Sequence, residues 1–303
     1  MSEKKPSIIS ASPKVRKLAR ELGADLHLVK GSQREGRVNE DDIKTFVKKS
    51  LSEAPKNKEF IKEEYNHSEF GTIDIQDIPR IKKIAGPHLQ KSWNEIPHVT
   101  QHDEADITEM DTFRKSLRDL YTGKKISVTP LAFIIRAVVN ALKKYPNFNT
   151  SLDLKNAKII YKKYYHIGIA VDTPHGLMVP KIRNADQKDI TALGKELKNV
   201  SKLSAELKID KREFFGGSMT ISSLGSIGGS FFTPIINQPE VAILGVGRAE
   251  KKQVFRGDKL EIRTMLPLSL SYDHRVIDGA EGARFCVHLK ESLGKDFAYR
   301  LAV

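Results

Sequence analysis

The sequence predicts a layered α/β (α+β) domain preceded by a small, separate helical module. Two patterns lead there. From Pro130 onward a helical apolar period alternates with short strand-like runs, the arrangement that packs helices on a sheet. Ahead of it, residues 8–51 carry two short amphipathic helices and end in a stretch poor in apolar residues. The 303 residues suit one large domain plus an appendage, because single cores stop growing near about 250 to 300 residues.

Taken in order, residues 1–7 are expected to be a disordered tail. Ser12 followed by Pro13 reads as an N-cap and first helical residue, and Val15, Leu18, Ala19 and Leu22 form a stripe that stops at Gly23. A loop with Gly31 and Gly36 follows, and Asn39 caps a second helix with Ile43, Phe46 and Val47 on one face. A module of roughly 40 residues is marginal alone, so residues 8–51 are expected to gain by binding something. Residues 52–68, rich in Glu, Lys and Asn and holding Pro55, read as a flexible linker, and residues 69–303 as the large domain. Within it, Pro130–Tyr145 reads as a buried helix, and His166–Val171, Ser218–Ser222 and Val241–Val246 as strands. Met265–Tyr272 is a further strand. It delivers Asp273-His274-Arg275 just before the turn at Asp278-Gly279, which opens a helix holding Ala283, Phe285 and Val287.

Composition narrows the functions. The formal charge of +13 raises nucleic acid as a partner, yet the sequence has no zinc-finger spacing, RNA-binding aromatic signature or basic recognition helix. Acidic proteins or a phosphate-bearing cofactor fit the charge better. No run nears the roughly 20 apolar residues of a membrane span, and the start lacks a signal-peptide core. No membrane is expected, and the location is bacterial cytoplasm or, in a eukaryote, the mitochondrial matrix. The single cysteine, Cys286, excludes an intramolecular disulfide, offers no metal site and reads as a buried structural thiol.

Two segments carry chemistry. A strand end is a rigid place for a catalytic imidazole, but a histidine flanked by Asp and Arg is more often a hydrogen-bonded structural residue, so His274 alone decides nothing. The second segment, Gly216 to Gly229, ends a strand in Ser222 and Ser223 beside glycines. Such hydroxyls can donate to a substrate oxygen where glycine permits close approach. It lacks a nucleophile elbow and P-loop spacing, and a turn of small residues is the plainer reading.

Together, in this order and about 50 residues apart, the segments resemble the catalytic domain of the dihydrolipoamide acyltransferases, core components of 2-oxo acid dehydrogenase complexes. The motif Asp-His-Arg-x-x-Asp-Gly at 273–279 carries the resemblance, with Ile167–Pro180 and Pro239–Gly247 similar to further family blocks. The resemblance implies a chloramphenicol-acetyltransferase-like fold, His274 as general base, Ser222 as donor to the oxyanion and Asp278 as a residue that holds the active-site loop. It implies coenzyme A contacts at Arg136, Ser151, Asp172, Ser223 and Gly247, and structural or channel roles for His98 and His102. It also implies homotrimers with the site between chains, assembled into a larger core. The block around Ile96–Thr100 is closest to the acetyl-transferring members. Branched-chain and succinyl transfer, or a non-catalytic scaffold that anchors the dehydrogenase, are the alternatives.

Residues 13–43 look like the peripheral-subunit-binding domain of the same family. That implies docking of dihydrolipoamide dehydrogenase, a 2-oxo acid decarboxylase subunit, or both, on Arg16, Lys17, Arg20 and Arg37, by fast and salt-sensitive attraction. Gln33 departs from the usual glycine and would be strained if that position needs a positive φ. A lipoyl domain with its modifiable lysine is not recognisable, so the lipoyl group is expected from another domain or chain.

Overall fold

The computed structural model describes residues 10–52, 66–118 and 121–301. The expected tail and most of the expected linker lie outside them. The chain forms two compact units that divide between Ile75 and Gln76.

In the first unit, α1 (Pro13–Glu21) starts where Ser12 Oγ accepts the Val15 N–H at 3.3 Å, with Pro13 at the first helical position. A 3-10 turn at Arg34–Gly36 leads to α2 (Glu40–Ser52). Asn39 Oδ1 accepts the Asp42 N–H at 2.8 Å, and Asp42 Oδ2 in return accepts the N–H groups of Asn39 and Ser32 at 3.0 Å. This reciprocal cap fixes the loop onto the helix start. Val15, Ala19, Val29, Val38 and Ile43 make the small core. Gln33 is unstrained: its φ of −87° is ordinary extended backbone, and the left-handed position is Gly36, at φ 72°. Gly31 is needed for a different reason, since a Cβ there would overlap the Gly36 carbonyl.

The second unit begins with α3 (Arg80–Glu95), followed by β1 (His98–Asp106), α4 (Thr108–Ser116) and α5 (Pro130–Lys144). A hairpin of β2 (Thr150–Asp153) and β3 (Lys158–Tyr161) stands apart from the main sheet. Then come β4 (Ile167–Ile169), β5 (Lys181–Ile182), α6 (Ile190–Ala205), β6 (Met219–Ser223), β7 (Ala242–Val246), β8 (Glu250–Arg256), β9 (Lys259–Asp273), α7 (Gly279–Leu293) and α8 (Phe297–Leu301). The main sheet has the order β1-β9-β7-β6-β4-β5, with β8 paired to the first half of β9. β4, β6 and β7 are parallel, while β9 runs antiparallel to β7 and β1.

Because side chains alternate along a strand, the register sorts this sheet into two unlike faces. One presents Leu266, Leu268, Leu270 and Tyr272 of β9 beside Ala242, Leu244, Val246, Met219 and Ile221. It packs against α5, α6 and α7 in one core, with Phe133, Phe148 and Phe285 fully buried. Gly282 lets α7 lie against the Tyr272 ring, which a Cβ would meet at 2.7 Å. The other face is polar: Thr100 and His102 of β1 stand opposite Ser271 and Ser269 of β9, and Ile243 and Gly245 separate those serines from Thr220 and Ser222. Phe232 closes over Gly245 on this side, where an added Cβ would sit 2.8 Å from its ring.

Candidate active site

His274 follows the last residue of β9, and its surroundings are built to hold the backbone still. Its N–H donates to the Pro97 carbonyl at 3.1 Å, and the Asp273 N–H donates to the Val241 carbonyl at 2.8 Å. Asp273 is buried and its carboxylate accepts from Arg275 Nη2 at 2.6 Å and Nε at 2.9 Å. This bidentate pair answers the buried charge. The Asp273 carbonyl also accepts from the N–H groups of Val276 and Ile277, so the strand passes into a tight turn. Asp278 ends that turn: its Oδ1 accepts the Glu281 N–H at 2.7 Å and caps α7. That bond fixes the end of the turn that follows His274. The His274 ring is exposed and lies 6.1 Å from the Tyr272 ring, centroid to centroid.

Ser222 is half-buried near the end of β6, on the polar face. One copy of the chain does not bring it to His274. Ser222 stands level with Gly245 of β7 and, through it, with Ser269 of β9, and His274 lies five residues further along β9. At about 3.4 Å per residue and 4.8 Å per strand, that is roughly 17 Å along the sheet and 10 Å across it.

The five positions expected to contact coenzyme A also separate. Ser223 and Gly247 line a cleft of about 760 Å³ between one end of the central strands, α5 and α6, walled by Leu131, Ile134 and Leu197 and flanked by Lys198 and Lys202. Ser223 points to the face opposite Ser222, as strand alternation requires. Ser151 lines a second cleft of about 570 Å³ with Lys162, Asp273 and Arg275, and its hydroxyl donates to the Pro239 carbonyl at 2.6 Å. Arg136 lies in neither but lines a third cleft, of about 340 Å³, and its guanidinium donates to the carbonyls of Asp186, Lys188 and Leu301. Asp172 is exposed and lines none of the three.

The other histidines of the polar face are engaged. His98 Nδ1 is 2.8 Å from the Ile96 carbonyl and its Nε2 accepts the Ile236 N–H at 3.1 Å, which makes Nδ1 the donor to that carbonyl. His102 Nδ1 pairs with Ser269 Oγ at 2.9 Å. Cys286 is buried in the core, which pushes its thiol up to about 12. No group of three or more His, Cys, Asp or Glu side chains among the described residues is placed to hold a metal ion. No helix among them is long and apolar enough to cross a membrane. On the first unit, Arg16, Lys17, Arg20 and Arg37 are all exposed. Lys17 lies 3.8 Å from Glu21, and Arg16 Nε donates to the Ala11 carbonyl.

Sequence reading missed a buried ionic cluster: Lys181 and Glu240 pair at 2.6 Å with both side chains 1% exposed, and Lys162 lies close by. The signal was present as a Lys between Pro180 and Ile182 and a Glu opening Val241–Val246, charges set in apolar runs that demand a buried partner.

A polar-faced sheet with helices on one side and a histidine at the end of its longest strand make a layered α/β fold of the acyltransferase type. The chain matches the family described as 2-oxoacid dehydrogenases acyltransferase (catalytic domain) over residues 71–298, and the e3 binding domain over residues 9–44. It belongs to the 2-oxoacid dehydrogenase acyltransferase family. It is 46% identical, over 297 residues, to the dihydrolipoyllysine-residue acetyltransferase component of the pyruvate dehydrogenase complex of Cupriavidus necator, covering 93% of this chain and 53% of that protein. The chain spans about half the length of several such curated relatives. Among solved structures, the cubic core of a pyruvate dehydrogenase multienzyme complex superposes with a TM-score of 0.75 at 44% identity, covering 78% of this chain and 97% of that one. Azotobacter vinelandii dihydrolipoamide acetyltransferase gives a TM-score of 0.75 at 43% identity, with the same coverage. That enzyme was investigated for the role of a serine, a histidine and an asparagine in its catalytic mechanism.

Proposed function

We propose that this chain transfers an acyl group, acetyl first among them, between a dihydrolipoyl thiol and coenzyme A, at sites that combine Ser222 of one copy with His274 of another. The shared site rests on the register, which sets the two residues at opposite ends of one sheet. The residue assignment is supported by the Azotobacter vinelandii enzyme, whose serine, histidine and asparagine are spaced along the chain as Ser222, His274 and Asp278 are here. Aspartate and asparagine are equivalent as helix caps, which suits the capping bond that Asp278 makes.

The chemistry follows from the residue types. A thiol with an ordinary pKa of ~8.5 is mostly protonated at neutral pH. An imidazole takes that proton as the sulfur attacks the thioester carbonyl. The tetrahedral oxyanion accepts a hydrogen bond from the Ser222 hydroxyl, a preorganised donor of a kind worth about 2.7 to 4 kcal/mol. Collapse expels the second sulfur, which takes the proton back from His274. No acyl-enzyme forms. The two thiols exchange the group directly.

Coenzyme A fits the larger cleft. Its volume lies in the range of small-molecule sites, its apolar walls suit a pantetheine arm, and Lys198 and Lys202 suit phosphates. Ser223, Gly225 and Gly247 bring it to the sheet end that carries Ser222. The N-terminal unit would dock the dihydrolipoamide dehydrogenase or decarboxylase subunit through Arg16, Lys17, Arg20 and Arg37, and the lipoyl group would arrive from another domain or chain.

The test is thioester exchange by the purified chain with coenzyme A and acetyl-, succinyl- and isobutyryl-dihydrolipoamide. Acetyl transfer should be fastest. Exchange with none of the three would leave a scaffold, and this reading would be wrong.

A further inference from the structure

We propose that Glu240 is a positioning residue for the transfer reaction, whose buried carboxylate ties the strand of Ser222 to the strand end of His274. The inference rests on the proposed roles of those two residues. Glu240 is 3% exposed. Its Oε2 accepts the Thr220 hydroxyl at 2.6 Å, and its Oε1 accepts from Lys181 Nζ at 2.6 Å and Asn237 Nδ2 at 3.3 Å. Thr220 is two residues before Ser222 on β6, so both side chains share the polar face. On its other side, Glu240 adjoins Val241, whose carbonyl receives the N–H of Asp273, the residue before His274.

The surroundings are cut to admit this cluster. A Cβ on Gly168 would lie 2.6 Å from both Lys181 Nζ and Thr220 Oγ1, and one on Gly217 would overlap Glu240 Oε1. A second lysine, Lys162, is buried beside it and donates to the Gly217 carbonyl at 2.8 Å. Burial and the Lys181 charge bring its pKa down to about 8. Two buried ammoniums and one carboxylate are an inefficient way to stabilise a fold, because desolvation offsets most of the attraction. As a tie they are efficient: charged hydrogen bonds are directional and short, and this one links β5, β6 and the start of β7 at one point. Since Ser222 and His274 of one copy serve different sites, one cluster sets a half of each.

The test compares acetyl transfer and thermal stability of the full chain for Thr220→Val, Thr220→Ser and the double variant Glu240→Leu with Lys181→Met. Thr220→Val keeps the shape, leaves the ion pair in place and deletes both bonds to β6, those from Thr220 to Glu240 and from Lys181 to Thr220. Its kcat should fall about tenfold with KM for coenzyme A nearly unchanged and Tm lowered by a few degrees, as for one buried acceptor left unpaired, and Thr220→Ser should restore both kcat and Tm. The double variant removes both charges together and, where it folds, should keep a kcat at least tenfold low even when Tm recovers. Wild-type kcat in Thr220→Val would overturn the positioning role, as would a double variant whose kcat recovers with its Tm. If His274→Ala or Ser222→Ala retains full activity, the underlying site assignment fails instead.

Discussion

The two faces of the main sheet are made from the same strands and serve opposite ends. On the helix-covered face, Leu268, Leu270, Phe133 and Phe285 are interchangeable in kind: each matters for the volume it fills. On the polar face, Ser222, Thr220, Ser271 and His98 matter for where one atom points. The difference teaches that stability and chemistry can be separated in this fold, because alternation along a strand assigns neighbouring residues to different tasks. Ser222 and Ser223 are the sharpest case.

That separation can be tested by loss. The largest effect is expected for His274→Ala, which should lower the rate of acetyl transfer a hundredfold or more while leaving Tm within about 2 °C, as expected for an exposed side chain. Full activity would refute the base assignment. Conversely, Phe133→Ala, at a fully buried position of α5, should cost about 3 to 5 kcal/mol of stability in denaturant melts, with the folded fraction still active. A rate loss beyond the unfolded fraction would break the division between faces.

The first unit extends the contrast to charge. Arg16→Glu with Arg37→Glu should abolish capture of the peripheral subunit in a pull-down at low salt and leave acetyl transfer untouched. Undiminished capture would refute that surface. The smallest effect concerns Lys162. Its pKa is held down to about 8 in the fold, from an ordinary 10.5, so above pH 8 the unfolded chain binds more protons at this site and stability rises with pH. Cys286, raised to about 12 from 9.0, acts in the reverse sense above pH 9. Between pH 8 and 9, therefore, wild type should gain stability relative to Lys162→Met. A flat difference in denaturant midpoints across that window would show that Lys162 is not titrating there.

Much of this was legible in the sequence because it is local. The Pro130 helix, the strands ending in Ser222 and Val246, and the turn from His274 to the α7 cap are written in periodicity and cap residues close in the chain. The distance between Ser222 and His274 was not, because strand order and direction are set by pairings that span 50 residues and leave no mark in spacing. Arg136 illustrates the same limit: a cation on a helix fits an anion contact on paper, and only the fold reveals three backbone carbonyls waiting for it. The Glu240 cluster lay in plain view as charges inside apolar runs, but its partners come from three separate elements.

The placement of Ser222 and His274 at opposite ends of one sheet has a genetic consequence. If every site is shared, a chain lacking only the imidazole and a chain lacking only the hydroxyl are each dead alone, yet each still owns the half the other has lost. Expressed together, they should complement, with intact sites appearing wherever the hydroxyl of one kind faces the imidazole of the other. By the same logic a copy that lacks only one of the two groups spoils a single junction, so mixed assemblies should lose activity in proportion to their share of faulty copies.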